Sequence, residues 1–201
     1  EGPGGFIQAL LDSRNNKDDK YYGMSILDDV NDQNIPGWKK SKSFLQDNPN
    51  VVIESGIDGT GDILKLENLQ YCKDMYSNSM DIITGDGGFD FSIDFNNQEH
   101  SIGQLLFAQV IYAVIMQKKG GCFVLKTFDC FMQHTLDILA ILSCFYDKVY
   151  ITKPQTSRYA NSEKYIVCKG FIGQSADEVY PYLKPAFEQM INGKKKMFKL
   201  L

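Results

Sequence analysis

Apolar positions along the chain fall into short blocks separated by glycine- and asparagine-rich polar stretches, and these blocks predict the elements. Residues 6–12 read as the first turns of a helix, and 21–26 and 51–54 as two strands. Between the strands, 28–50 is polar, rich in Asp, Asn and Lys, and holds Pro36 and Pro49; the pattern predicts a mobile surface insertion. Ile57-Asp58-Gly59-Thr60-Gly61-Asp62-Ile63 is a tight loop, followed by a helix over 65–77 and an apolar strand over 80–84 that stops at Gly85-Asp86-Gly87-Gly88. The strongest helical block is 101–118, with Ser101 as N-cap candidate and Gly120 as its terminator. A strand at 122–128, a helix at 131–145 and strands at 148–152 and 163–168 follow. The last helix, 176–191, is expected to be disturbed by Pro181 and Pro185.

Strands thus alternate with helices through most of the chain, which argues for an α/β fold with a parallel sheet covered on both faces. The connection 153–161 has no helical pattern, so the last strand is expected to pair antiparallel with its predecessor. The expected architecture is a Rossmann-like, mostly parallel sheet with a final antiparallel strand, in one domain over residues 1–201.

With 201 residues, 43% hydrophobic and 23% charged, the chain can bury a sizeable core. A net charge of −4 does not by itself announce a nucleic-acid binder. Arginine occurs only at Arg14 and Arg158, so phosphate contacts would fall to lysines. The clusters 39, 40 and 42, 118 and 119, and 194–196 read first as solvated surface lysines, and only second as a phosphate-binding surface. The five cysteines are odd in number and form no CxxC pair. Cys122, Cys144 and Cys168 sit in apolar runs as small hydrophobes, which suits a reducing intracellular compartment, nucleus or cytoplasm. The Asn- and Lys-rich composition is also compatible with a viral source. With two histidines there is little basis for a metal site, and none is expected. The longest apolar run, 105–116, is broken by Gln109 and too short to span a membrane.

Ligands of open α/β sheets bind beyond the carboxyl ends of the strands. Asp86 and Lys126 both fall at such ends, and Glu163 opens the last strand, which, if antiparallel, starts at that same edge. Each has a plainer reading alone: a turn residue, a snorkelling edge lysine, a solvated charge. Their joint placement favours a site. The opening Glu1-Gly2-Pro3-Gly4-Gly5-Phe6 is a glycine-rich turn of the kind that joins a strand to a helix where the backbone approaches a cofactor. No strand stands before it, so the chain is expected to be incomplete at its N-terminus.

These islands resemble the FtsJ-type family of RNA 2′-O-methyltransferases, most closely its mRNA cap-1 branch. The likeness runs from Glu1 to about Phe171 through the glycine turn, Tyr22-Gly23-Met24-Ser25, the 57–63 loop with Glu67-Asn68, Asp86-Gly87-Gly88-Phe89, Lys126-Thr127-Phe128-Asp129, and the stretch from Lys153-Pro154 to Gly170. The resemblance implies S-adenosyl-L-methionine as cofactor and capped mRNA as partner, with other capping-machinery proteins as further partners and no membrane. Of the family's Lys-Asp-Lys-Glu tetrad, Asp86, Lys126 and Glu163 match the last three members; the first lysine would lie upstream of the glycine turn. Cofactor contacts map onto Glu1, Gly2, Pro3, Gly4, Gly5 and Phe6, onto Asp62 and Ile63, and onto Asp86. Substrate contacts map onto Asn96, Asn97, Gln98 and Asn161.

The residue types suit that chemistry. A ribose hydroxyl is a poor nucleophile at neutral pH, and a neutral Lys126 could accept its proton, a form that burial or a second cation favours. Glu163 would orient Lys126 or help Asp86 place the hydroxyl. A sulfonium is already an activated donor, so no metal or covalent intermediate is required. The chain departs from a common methyltransferase pattern in ending its second strand Met24-Ser25-Ile26 without an acidic residue, a departure the cap branch tolerates. Phe91 and Phe95 could stack on a base or pack in a core. The alternatives are a ribose methyltransferase for other RNA, and a cofactor- or RNA-binding module without catalysis.

Overall fold

Short runs of aromatic and β-branched residues form the first two strands, β1 (Tyr21–Met24) and β2 (Val51–Glu54), which pair in parallel from Tyr21 opposite Val51 to Met24 opposite Glu54. The computed structural model describes residues 3–27, 38–88 and 98–193. It divides into two compact units, 1–68 and 69–201, and the described strands form two sheets.

In the first unit, helix α1 (Gly5–Arg14) follows Gly4, whose φ of 90° is open to glycine and strained for other residues. The helix ends at Asn15, in the left-handed conformation, with its N–H on the carbonyl of Leu11. A small core joins Ile7, Tyr21, Trp38 and Val51, with Leu10, Leu11, Phe44, Leu45 and Ile53 packed against it.

That core corrects the expectation of a polar insertion over 28–50. Residues 28–37 lie outside the described residues, but Trp38 is buried, and a 3-10 turn at Lys39–Ser41 leads into helix α2 (Lys42–Asp47). The Trp38 ring lies against two glycines: a Cβ on Gly23 would sit 2.3 Å from it and one on Gly4 2.8 Å. Ser41 donates to the carbonyl of Pro3 at 2.7 Å. One large aromatic outweighs the polar composition around it.

The second unit contains the four-stranded sheet, in the order β3-β4-β6-β5. Its strands are β3 (Met80–Gly85), β4 (Gln117–Thr127), β5 (Tyr146–Thr152) and β6 (Lys164–Phe171). β3 and β4 run parallel, while β6 is antiparallel to both β4 and β5, as the helix-free connection before it predicts. Helix α3 (Leu66–Tyr76) precedes β3, and α4 (Gln98–Met116), α5 (Gln133–Phe145) and α6 (Ala176–Asn192) complete the unit. α4 is buried almost throughout its described length and packs on α5, α6 and β4. Phe123, Leu125, Ile166 and Cys168 face this core. Burial pushes the Cys168 thiol up to about 12, so it packs as an uncharged small hydrophobe. All five cysteines are free, and Cys144 is exposed, contrary to its expected packing.

Two boundaries and one helix interior differ from the pattern. α4 begins at Gln98, so Ser101 lies within the helix and is not its cap. Gly120 does not end that helix, because β4 starts directly after Met116. The cause is Gln117: its buried amide donates to the carbonyls of Met80 and Asp81, and its oxygen accepts from the Tyr146 hydroxyl at 3.0 Å. A bulge follows, with Met80 opposite Gln117 but Ile82 opposite Cys122, and a Cβ on Gly121 would lie 2.2 Å from the Gln117 amide. Finally, α6 runs through Pro181 and Pro185. Both prolines are exposed and four residues apart, on the helix's outer face, where carbonyls that lose a donor meet water.

Among the described residues no helix is long and apolar enough to cross a membrane. Trp38→Ala should lower the urea-unfolding stability of the first unit by about 3–5 kcal/mol, the usual cost of emptying a buried aromatic site. A surface insertion would show no such loss.

Candidate active site

Alternation along β4 sets the first element of the site. Phe123, Leu125 and Thr127 are buried, so Cys122, Val124 and Lys126 point to the opposite face. Lys126, one residue before the end of β4, reaches Asp86, one residue past the end of β3, with Nζ and Oδ1 2.8 Å apart. The side chains retain 17% and 20% of their exposure, so the pair is half-sheltered and still reachable. It is an ion pair without hydrogen-bond geometry: Asp86 Oδ1 is buried and accepts no aligned hydrogen bond.

Glycines keep this corner open. A Cβ on Gly88 would come within 3.7 Å of the Lys126 ammonium, and one on Gly85 within 2.7 Å of the Gln109 carboxamide. Gln109, from α4, accepts from the Gly87 N–H at 3.0 Å and donates to the Leu105 carbonyl at 3.1 Å. A buried glutamine thus fixes the backbone that carries Asp86. In the sequence Gln109 is a polar break in an apolar run. A buried polar residue amid apolar neighbours was the available signal.

Glu163 arrives from the other side. Lys164 stands opposite Thr127 in the β4–β6 ladder, so Glu163 lies one position beyond it, at the edge where Lys126 emerges. Lys164 pairs with Asp129 at 2.9 Å, tying the start of β6 to the chain leaving β4. The Glu163 carboxylate accepts from Ser157 at 3.3 Å, and its ion pair with Lys126 is absent among the described residues. Asn161 accepts from Lys153 at 2.8 Å and from Ser157 at 3.1 Å through its side-chain oxygen. Asp86 and Lys126 are therefore in contact, and Glu163 and Asn161 share their sheet edge.

The expected cofactor residues other than Asp86 belong to the first unit. Glu1 and Gly2 lie outside the described residues. Pro3 and Gly4 lead into α1, whose first turn has no side-chain cap, and a Cβ on Gly5 would meet nothing within 4 Å. Phe6 is in the same turn, half-buried. Asp62 and Ile63 sit in a loop organised around Asp58. That carboxylate accepts from the Thr60 N–H at 2.9 Å and the Asn68 amide at 2.9 Å, and pairs with Lys65. Its partners, Lys65 first and the Thr60 amide next, hold Asp58 well below the usual carboxylate range. Asp62 accepts from the Leu64 N–H at 2.9 Å through Oδ1, and its carbonyl accepts from Asn68 at 3.0 Å. A Cβ on Gly56 would collide with Asn68, and one on Gly61 with the Ser25 carbonyl at 2.0 Å.

Of the expected substrate loop, Asn96 and Asn97 lie outside the described residues, and Gln98 opens α4. Phe91 and Phe95 also lie outside them. Tyr21 and Trp38 are core residues, while Tyr159 is fully exposed.

A family model for FtsJ-like methyltransferases matches residues 1–171, spanning both units. The chain belongs to the FtsJ-like methyltransferase family. It is 37% identical over 183 residues to a cap-specific mRNA (nucleoside-2′-O-)-methyltransferase 1 of Trypanosoma brucei brucei, covering 86% of this chain and 45% of that protein. Its likeness to the Homo sapiens protein of the same name is 36% over 187 residues, covering 90% of this chain and 22% of that one. The chain thus spans less than half the length of these relatives. Among solved structures it resembles a Plasmodium falciparum protein described as a ribosomal RNA methyltransferase, with a TM-score of 0.57 and 21% identity over 86% of this chain and 84% of that one, a likeness of fold.

Gln109→Leu should destabilise the protein by about 1–3 kcal/mol, because it strands the Gly87 N–H, as urea unfolding would measure. Asp58 makes a pH-dependent contribution. Its carboxyl is depressed in the fold, so that stability is complete well above the usual 3.8 and is lost as pH falls below it. Unfolding midpoints between pH 6 and about pH 3 should fall less steeply in Asp58→Asn than in the parent.

Proposed function

We propose that this chain is the catalytic domain of an S-adenosylmethionine-dependent enzyme that methylates the ribose 2′-hydroxyl of the cap-adjacent nucleotide of mRNA. The observation that carries the reading is the Asp86–Lys126 pair at the carboxyl ends of neighbouring parallel strands, in a chain whose curated relatives are named for that reaction. One family match covers residues 1–171 and so reaches into both units, which supports reading the two as parts of one methyltransferase domain.

The glycine turn suits a polar cofactor. The uncapped first turn of α1 and the empty space beside Gly5 leave backbone N–H groups near an open surface. Glu1, Gly2, Pro3, Gly4, Gly5 and Phe6, with Asp62, Ile63 and Asp86, are the residues assigned to hold it. Asp62 uses one carboxylate oxygen inside its own loop, which leaves the other for a ligand hydroxyl. When bound, S-adenosylmethionine supplies an electrophilic methyl group on a sulfonium.

Lys126 is the group that meets the ribose. Paired with Asp86, it is a donor that can hold and polarise the 2′-oxygen. To take the hydroxyl proton it must be neutral, which calls for a second cation near the pair. The family's first lysine, upstream of the glycine turn, fills that role in the resemblance. Asp86 fixes the ammonium's position, and Glu163, from the neighbouring strand start, accepts a hydrogen bond from the ribose or from Lys126 once substrate is in place. Asn161, and by resemblance Asn96, Asn97 and Gln98, contact the RNA chain. Capped mRNA is the macromolecular partner, and other capping proteins are expected beside it.

In the full-length protein, labelled methyl groups should pass to capped RNA and not to the same RNA without its cap. Lys126→Ala should cut that transfer by at least about 100-fold while cofactor binding persists. Equal transfer to both RNAs would move the reading to another RNA 2′-O-methyltransferase; no transfer to any RNA, with cofactor binding intact, would overturn the enzyme reading.

A further inference from the structure

The loop between β5 and β6 is built around one lysine that the catalytic reading does not use. The Lys153 ammonium lies 2.8 Å from the Asn161 carbonyl, 2.8 Å from the Asn161 side-chain oxygen, 3.0 Å from the Glu163 carbonyl and 3.5 Å from the Ser157 hydroxyl. All four partners are neutral oxygens, and three of them belong to the two residues that flank the reacting edge. A lysine side chain has three donors and no acceptor. Lys153 therefore settles two questions about its neighbours.

The first is the orientation of Asn161. Because Lys153 can only donate, the carboxamide must turn its oxygen inward, where Ser157 also approaches at 3.1 Å. With that oxygen occupied, the amide nitrogen is the end left for other partners. Asn161 then offers donors, and it selects an acceptor on the RNA, such as a ribose, phosphate or base-carbonyl oxygen. The second question is the Ser157 proton. The hydroxyl has one hydrogen and two acceptors within reach, Asn161 Oδ1 at 3.1 Å and Glu163 Oε1 at 3.3 Å. Lys153 fills one of the two acceptor sites on Asn161 Oδ1 and weakens it as an acceptor, so the proton goes to the Glu163 carboxylate, the charged and stronger one.

We infer that Lys153 is a positioning residue: it turns the donor end of Asn161 toward the RNA and releases the Ser157 hydrogen bond to hold the Glu163 carboxylate. The inference rests on the proposed methyl transfer to RNA, and it assigns Lys153 no contact with substrate or cofactor.

The two tasks separate by kinetics. Ser157→Ala removes the hold on Glu163 but leaves Lys153 on Asn161, so kcat for methyl transfer to capped RNA should fall with KM for the RNA nearly unchanged. Lys153→Met removes both, so kcat should fall and KM rise, each by about tenfold, the scale set by a hydrogen bond to a charged group. Lys153→Arg, which keeps donors of the same charge, should recover part of both losses, while S-adenosylmethionine binding by calorimetry stays at the parental value in all three. A purely structural lysine would instead move melting temperature and cofactor affinity together, without the division between the variants. Parental kcat and KM in Lys153→Met, or a rise in KM in Ser157→Ala as large as that in Lys153→Met, would overturn the inference. Should Lys153→Met not fold, the Ser157→Ala and Lys153→Arg parameters still decide it. Failure of the parental full-length protein to methylate capped RNA would instead count against the functional reading itself.

Discussion

A lysine and an aspartate from adjacent parallel strands meet across 2.8 Å at the sheet edge, and the surrounding structure serves that contact. Opposite charges at this distance attract, but a half-sheltered pair would be worth little if its side chains had to be ordered on meeting. Here they are ordered beforehand. Strand alternation aims Lys126, because its neighbours Leu125 and Thr127 are buried on the other face. Asp86 is aimed by a backbone that cannot shift, since Gln109 holds the Gly87 N–H and Gly85 is pressed against the same carboxamide. The position of the pair thus depends on a buried helix, through the uncharged carboxamide of Gln109.

The antiparallel strand adds what parallel strands alone cannot. β6 returns between β4 and β5, so its beginning lies where β4 ends, and Glu163 reaches the same edge from a point far along the chain. The Lys164–Asp129 pair and the Lys153 contacts fix that beginning from both sides. In the first unit the same economy appears in another form. Gly4, Gly23, Gly56 and Gly61 each lie where a Cβ would strike a ring, an amide or a carbonyl, so the glycine turn and the 56–62 loop are shaped by close packing as much as by torsional freedom.

The legible parts of the sequence were those where apolar runs stop at glycine. β2 and β3 follow from that punctuation, α3 and α5 from apolar runs that end in polar residues, and the antiparallel entry of β6 from the helix-free connection before it, and with these the placement of Asp86, Lys126 and Glu163 at one sheet edge. What composition hid were decisions made by single residues in three dimensions. Trp38 turns part of a polar stretch into core; Gln117 starts a strand where the pattern continues a helix; and Pro181 and Pro185 remain within α6 because both face outward. Gln109 and Lys153 were illegible for a related reason. Their hydrogen bonds run to backbone and amide groups, 22 residues away for Gln109 and across an irregular loop for Lys153, which residue type alone does not announce.

On the proposed function, Asp86 and Lys126 act as one unit in methyl transfer. A double-mutant cycle in the full-length protein, comparing Asp86→Asn, Lys126→Ala and the double variant by kcat/KM on capped RNA, tests it most directly. The prediction is that the double variant loses about as much activity as the worse single one, because removing either partner disables the pair. Additive losses, each variant contributing its full penalty independently, would contradict it.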